Sequence, residues 1–156
     1  MEFTRKKLPE QHYLYVDRET AMDAKSIGDA MGSGFGEVFG FTQEKGVTPL
    51  TMPSSIYLDM PSGDKMAFRA AVFVSADDAA KAEGNIKAGV MPAGDAVTGT
   101  HQGPYGNLNQ SHKALWDYVE QNNLGKAMPV WEIYVDDPTK TPEEKLRTEI
   151  YRAISG

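Results

Sequence analysis

Glutamate and tyrosine alternate in two segments near the C-terminal end of this chain, Trp131-Glu132-Ile133-Tyr134 and Thr148-Glu149-Ile150-Tyr151. A carboxylate can hold a cation or move a proton, and phenols can wall a cavity while donating hydrogen bonds into it. Side chains alternate along a strand, so Glu132 shares a face with Tyr134, and Glu149 with Tyr151. A turn containing Pro138 and Pro142 separates the segments. Read as a hairpin of matching parity, they aim all four side chains at one aromatic, acidic space. The plainer alternative is a half-buried hairpin whose glutamates face solvent.

A desolvated carboxylate among rings suits a cation, because charge pairing and cation–π attraction add there, the latter reaching about 2 kcal/mol. Burial that raised its pKa toward neutrality would instead make it a general acid or base. His101, before the Gly103-Pro104 turn, could orient a ligand, relay a proton or bond locally. His112 and Trp116, four residues apart on a helix, default to packing against the sheet. Tyr57 faces either the same space or the core. The histidines, His12, His101 and His112, show no HExxH spacing, so no metal is expected, and no phosphate-binding loop or nucleophile elbow appears. No cofactor is implied.

The chain has 156 residues, 40% hydrophobic and 24% charged, enough for one domain with a real core. Acids outnumber Lys and Arg 22 to 16, a net charge of −6. That sign opposes phosphate backbones, so direct nucleic-acid binding is not expected and cationic ligands are favoured. The chain has no cysteine, which excludes disulfides and thiolate chemistry and suggests the cytoplasm. The longest aliphatic run, Ala70 to Val74, is too short to span a membrane, and no secretory leader is visible.

Positioning these residues requires strands, and the sequence repeats itself. Ser55-Ile56-Tyr57-Leu58-Asp59 echoes Glu132-Ile133-Tyr134-Val135-Asp136 at an offset of 77 residues, each followed by a Pro-containing turn. Phe68 to Phe73 likewise matches Leu146 to Tyr151. Each half reads strand, helix, strand, strand, with repeats at about 10–75 and 94–154 and a linker at about 76–93. His12 to Ala24 is the first strand. A helix follows between Asp29 and Lys45, but glycines at 28, 32, 36 and 40 would cost it about 3–4 kcal/mol relative to alanine. They form either a smooth stripe for close backbone approach or, over 28–34, a loop. Ser75 caps a short helix stopped by Gly84. Met91-Pro92-Ala93-Gly94 turns into a strand, Asp95 to His101. A second helix, capped by Asn107 or Asn109 and ended by Gly125, buries Leu108, Leu115 and Val119. Two such units should pack as a pseudo-twofold α+β domain with antiparallel sheets, helices on one side and a central groove on the other.

His101-Gln102-Gly103-Pro104-Tyr105, then Leu108, Leu115-Trp116 and the two Glu-Tyr strands, stand in an order that strongly resembles the GyrI-like effector-binding domains. That family includes drug-binding domains of MerR- and AraC-type regulators. The resemblance implies a duplicated β-α-β-β fold whose groove takes amphipathic small molecules around a buried glutamate, which falls on Glu132. Tyr151 would be an aromatic wall and Tyr105 a rim residue. Tyr134, Glu149, Tyr57, His101 and Trp116 complete the expected lining. Some family members look like hydrolases of cyclopropane-bearing DNA-alkylating compounds, and a regulator or gyrase partner is a further implication. No helix-turn-helix is expected among the residues before the first strand, and Ala153 stands where many members have proline.

Overall fold

The structure, a computed structural model, describes residues 1–59 and 63–155. The turn expected around Pro61 therefore lies outside the described residues. Among the described residues there are eight strands, most of them with apolar or aromatic side chains at alternate positions: β1 Thr4–Leu8, β2 Gln11–Ala21, β3 Ser54–Tyr57, β4 Lys65–Val74, β5 Lys87–Met91, β6 Gly94–Gln102, β7 Gly125–Tyr134 and β8 Arg147–Ser155. They form one antiparallel sheet ordered β1-β6-β8-β7-β3-β4-β2-β5. Three α-helices accompany it, α1 Ala24–Lys45, α2 Ala76–Ala79 and α3 Leu108–Gln121.

Two very short connections shape this sheet. Pro9-Glu10 joins β1 to β2, and Pro92-Ala93 joins β5 to β6, although the joined strands lie at or beside opposite ends of the sheet. So short a link can be made only if the sheet curls until its ends approach each other. The concave face then becomes an interior, and every strand contributes to it, from Leu8 on β1 to Trp131 on β7 and Tyr151 on β8. The convex face carries the helices. Val38 and Phe41 of α1 pack on Leu14, Val16 and Val72, while Leu115 and Val119 of α3 pack on Val97 and Ile150.

The α+β antiparallel expectation holds. β2-α1-β3-β4 and β6-α3-β7-β8 have the same order of elements, and their strands mirror one another across the β3/β7 pair. In that pair Ser55 lies opposite Glu132. These residues are also related by the 77-residue offset, so the pseudo-twofold axis passes between them. The axis has serine on one side and glutamate on the other.

Several boundaries differ from the sequence expectation. β2 stops at Ala21, and Asp23 caps α1, its Oδ1 accepting from Ser26 N at 2.9 Å. Residues 28–34 are helical, not a loop, because Phe35, Val38 and Phe41 gain enough packing on the sheet to offset the glycine cost. The glycine stripe does not receive another backbone: Gly28, Gly32, Gly36 and Gly40 face open space. The close approach is at Gly34, where a Cβ would lie 2.6 Å from Ala70 Cβ. α3 ends at Gln121, and Asn123, at φ 56°, takes the left-handed position expected nearer Gly125. Asn107 makes no side-chain cap bond, and Asn109 bonds only the adjacent Gln110 N. β1 and β5 carried no sequence expectation, being short edge strands.

Gly36→Ala should therefore stabilise the fold by about 0.5–1 kcal/mol, raising Tm by about 1–4 °C. Gly34→Ala should lower Tm despite the same gain in helix propensity, because overpacking costs about 1–3 kcal/mol. Thermal melts followed by circular dichroism test the pair.

Candidate functional site

The register of the central strands decides what each face presents. β7 and β8 pair with Trp131 opposite Tyr151, Glu132 opposite Ile150 and Ile133 opposite Glu149. Directly opposed residues share a face. Glu132 and Tyr134 thus project to the convex, helix-covered side, and Glu149 and Tyr151 to the concave side. The expected single space with all four side chains is not formed, because a turn longer or shorter by one residue inverts one strand's parity relative to the other. Tyr151 instead stacks on Trp131, centroids 5.0 Å apart and planes 1° from parallel, and donates to Glu149 Oε1 at 3.0 Å. Burial, then the Glu149 charge, pushes the Tyr151 phenol up to about 12.

On the convex side Glu132 is 5% exposed, in the seam between α1 and α3. β3 supplies Tyr57, whose hydroxyl donates to Oε1 at 3.1 Å, and β7 supplies Tyr134, donating to Oε1 at 2.6 Å. α3 supplies His112, whose Nε2 donates to Oε2 at 2.7 Å. Aromatic side chains enclose the group. Tyr134 touches Phe35 of α1, centroids 5.8 Å apart, and Tyr105 edge-on at 5.5 Å. Met31 Sδ lies 3.8 Å from the Tyr134 hydroxyl. Tyr57 packs on Phe68 at 6.3 Å.

Burial alone would push the Glu132 carboxyl up, but the His112 hydrogen bond and charge, with the two phenols, outweigh it and hold the group below the ordinary carboxylate range. The same carboxylate acts oppositely on its neighbours. Burial and the Glu132 charge push Tyr57 and Tyr134 well above the ordinary phenol value. Burial, with Asp136 and Asp137 nearby, also raises Tyr105. The result is an ionised carboxylate ringed by neutral phenols.

Of the residues singled out in the sequence, Glu132, Tyr134, Tyr57 and Tyr105 come together. His101 bonds locally, Nδ1 to Ser111 Oγ at 2.6 Å and Nε2 to Pro104 O at 3.1 Å, pinning the turn into α3. Trp116 lies one turn beyond His112 and carries two cations, Arg152 Cζ at 3.8 Å and Lys126 Nζ at 4.4 Å from its centroid. His112, Phe35 and Met31 were missed. His112 sits 20 residues from its partner, and its one local signal, the four-residue spacing from Trp116, points equally to packing. Among the described residues no three His, Asp or Glu side chains gather as metal ligands, and no helix is long and apolar enough to cross a membrane.

Two surface clefts lie away from Glu132. One, of about 740 Å³, is lined by charges of both signs including Asp17, Glu19, Lys65 and Arg69. The other, of about 170 Å³, lies beside Leu8, Met91 and Trp131. Neither combines a buried charge with several ring faces as the seam does, although the seam itself is closed by the side chains packed over it.

The fold has close structural counterparts. The EcmrR C-terminal domain superposes with a TM-score of 0.79 at 26% identity, covering 99% of this chain and 97% of that one. SAV2435 bound to tetraphenylphosphonium gives 0.66 at 17% identity, covering 100% and 95%. A hydrolase from Listeria innocua gives 0.67 at 17% identity, covering 99% and 92%. No curated protein sequence matches the chain. The GyrI-like small molecule binding domain model matches residues 1–155. With that match and the fold it predicts in place, the chain belongs to the family of GyrI-like small-molecule binding domains.

Proposed function

We propose that the chain binds lipophilic aromatic cations at Glu132, with Tyr57, Tyr134, Tyr105 and Phe35 as the walls, in a sensing or sequestering role. The observation that carries this reading is the buried carboxylate, 5% exposed and held ionised amid rings. An ionised carboxylate of low local dielectric attracts a cation strongly, and phenol faces add cation–π attraction. The tetraphenylphosphonium held by SAV2435 has the matching chemistry, a permanent charge buried in aromatic surface. Because side chains close the seam, a ligand must part Met31 and Phe35 from Tyr134. The five glycines of α1 weaken the helix that would have to yield.

The same electrostatics disfavour acid catalysis. A general acid must carry its proton at working pH, and Glu132 is held below the ordinary range. The phenols, pushed upward, stay protonated as donors. Incubation with a cyclopropane-bearing alkylating agent should therefore give no ring-opened product above a protein-free control by mass spectrometry, and Glu132-dependent turnover would contradict the binding reading.

Glu132→Gln keeps the shape and removes the charge. It should weaken tetraphenylphosphonium by about 1.5–3 kcal/mol, roughly 10- to 150-fold, while neutral triphenylphosphine oxide loses far less. Equal losses in calorimetry would refute charge recognition. A third test concerns the phenols. A group whose folded pKa is raised contributes stability that is present below its unfolded pKa, about 10 for tyrosine, and lost as pH rises through the folded value. In an alkaline titration read by tyrosinate absorbance, Tyr57 and Tyr134 should ionise only with the loss of near-ultraviolet circular dichroism. Tyr57→Phe and Tyr134→Phe should each remove one unfolding-linked chromophore.

A further inference from the structure

The place a cation needs beside Glu132 is already filled. Oε1 accepts from Tyr57 and Tyr134, and Oε2 accepts from His112 Nε2 at 2.7 Å. The phenols carry no charge. The His112 side chain is 20% exposed and that of Glu132 6%, so the imidazole stands between the carboxylate and water. Among the described residues, the other groups about the pair leave it no rival. Tyr134 on β7, Tyr57 on β3 and Tyr105 before α3 are neutral phenols. His101 on β6 has both ring nitrogens engaged by Ser111 and Pro104, and α1 presents Met31 and Phe35. On α3 itself Lys113 pairs with Asp117, and on β8 Arg152 lies over Trp116.

We propose that His112 is the resident counter-cation of Glu132 and determines which ligands the site accepts. A cation enters by displacing the imidazolium, which swings from Oε2 into solvent, so that one positive charge replaces another beside the carboxylate. The inference rests on the reading of Glu132 as the cation-binding group. A neutral amphipath has no charge to exchange, so it leaves the ion pair in place.

Replacing the imidazole by a neutral side chain should therefore open the carboxylate to permanent cations and leave the affinity for neutral amphipaths nearly unchanged.

Calorimetry of the full chain compares tetraphenylphosphonium with neutral triphenylphosphine oxide in wild type and His112→Gln. The expected result is that His112→Gln binds the phosphonium at least about tenfold more tightly than wild type and the phosphine oxide with little change. In the wild type, one of the three histidine ring signals in a nuclear magnetic resonance spectrum should move on addition of the phosphonium and not of the phosphine oxide, a reading that decides by itself if the variant does not fold. Histidine signals that stay in place, or equal changes for the two ligands in His112→Gln, overturn the role given to His112. If Glu132→Gln still weakens the cation in that case, the reading of Glu132 survives. If Glu132→Gln has no effect, both fall.

Discussion

A carboxylate in a protein interior must be neutralised or solvated, and Glu132 is neither near water nor protonated. Left unpartnered, such a charge costs several kcal/mol. Three donors from three elements offset that cost, Tyr57 from β3, Tyr134 from β7 and His112 from α3. The position of the group makes this demand central. The pseudo-twofold axis passes between Ser55 and Glu132, so the charge stands where the two halves meet. Ser55 Oγ lies 3.0 Å from the Tyr134 hydroxyl, completing the network across the axis. One half contributes the serine and the other the charge, an asymmetry within the strand pair that joins the two halves.

The curled sheet explains why such a site can exist without emptying the core. Two connections of two residues each bring the sheet's ends together, and the concave face fills with side chains from all eight strands. Stability from apolar burial is thereby concentrated on the concave side and beneath each helix. The seam between α1 and α3 is left to polar groups and rings. A buried polar network that is fully satisfied is rigid, and one from which a single member is removed becomes costly. A ligand that replaces one member with an equivalent charge can therefore exchange with it at modest cost.

Much of this was legible in the sequence. The 77-residue echo revealed the repeated strand-helix-strand-strand order, and alternation placed Glu132 with Tyr134 on one face. Tyr57, as the echo of Tyr134, arrived beside the same carboxylate. The relation between β7 and β8 was not legible, because pairing register depends on the turn between them, and a one-residue difference sends Glu149 and Tyr151 to the other face. The side of the sheet holding the carboxylate depended on the sheet's curl, which only the positions of β1 and β5 dictate. The continuous α1 was obscured because local glycine penalties spoke against a helix that tertiary packing sustains. His112 meets Glu132 only through the docking of α3, a contact with no local signature.

The claim that Glu132 receives a cation by exchange with His112 is tested most directly by a crystal structure of the chain with tetraphenylphosphonium. The phosphonium should lie in the seam within about 6 Å of a tyrosine ring centroid, facing Glu132, with His112 turned away from Oε2. A phosphonium seated in the charged cleft beside Asp17 and Arg69, with the His112–Glu132 hydrogen bond intact at its present 2.7 Å, would contradict it.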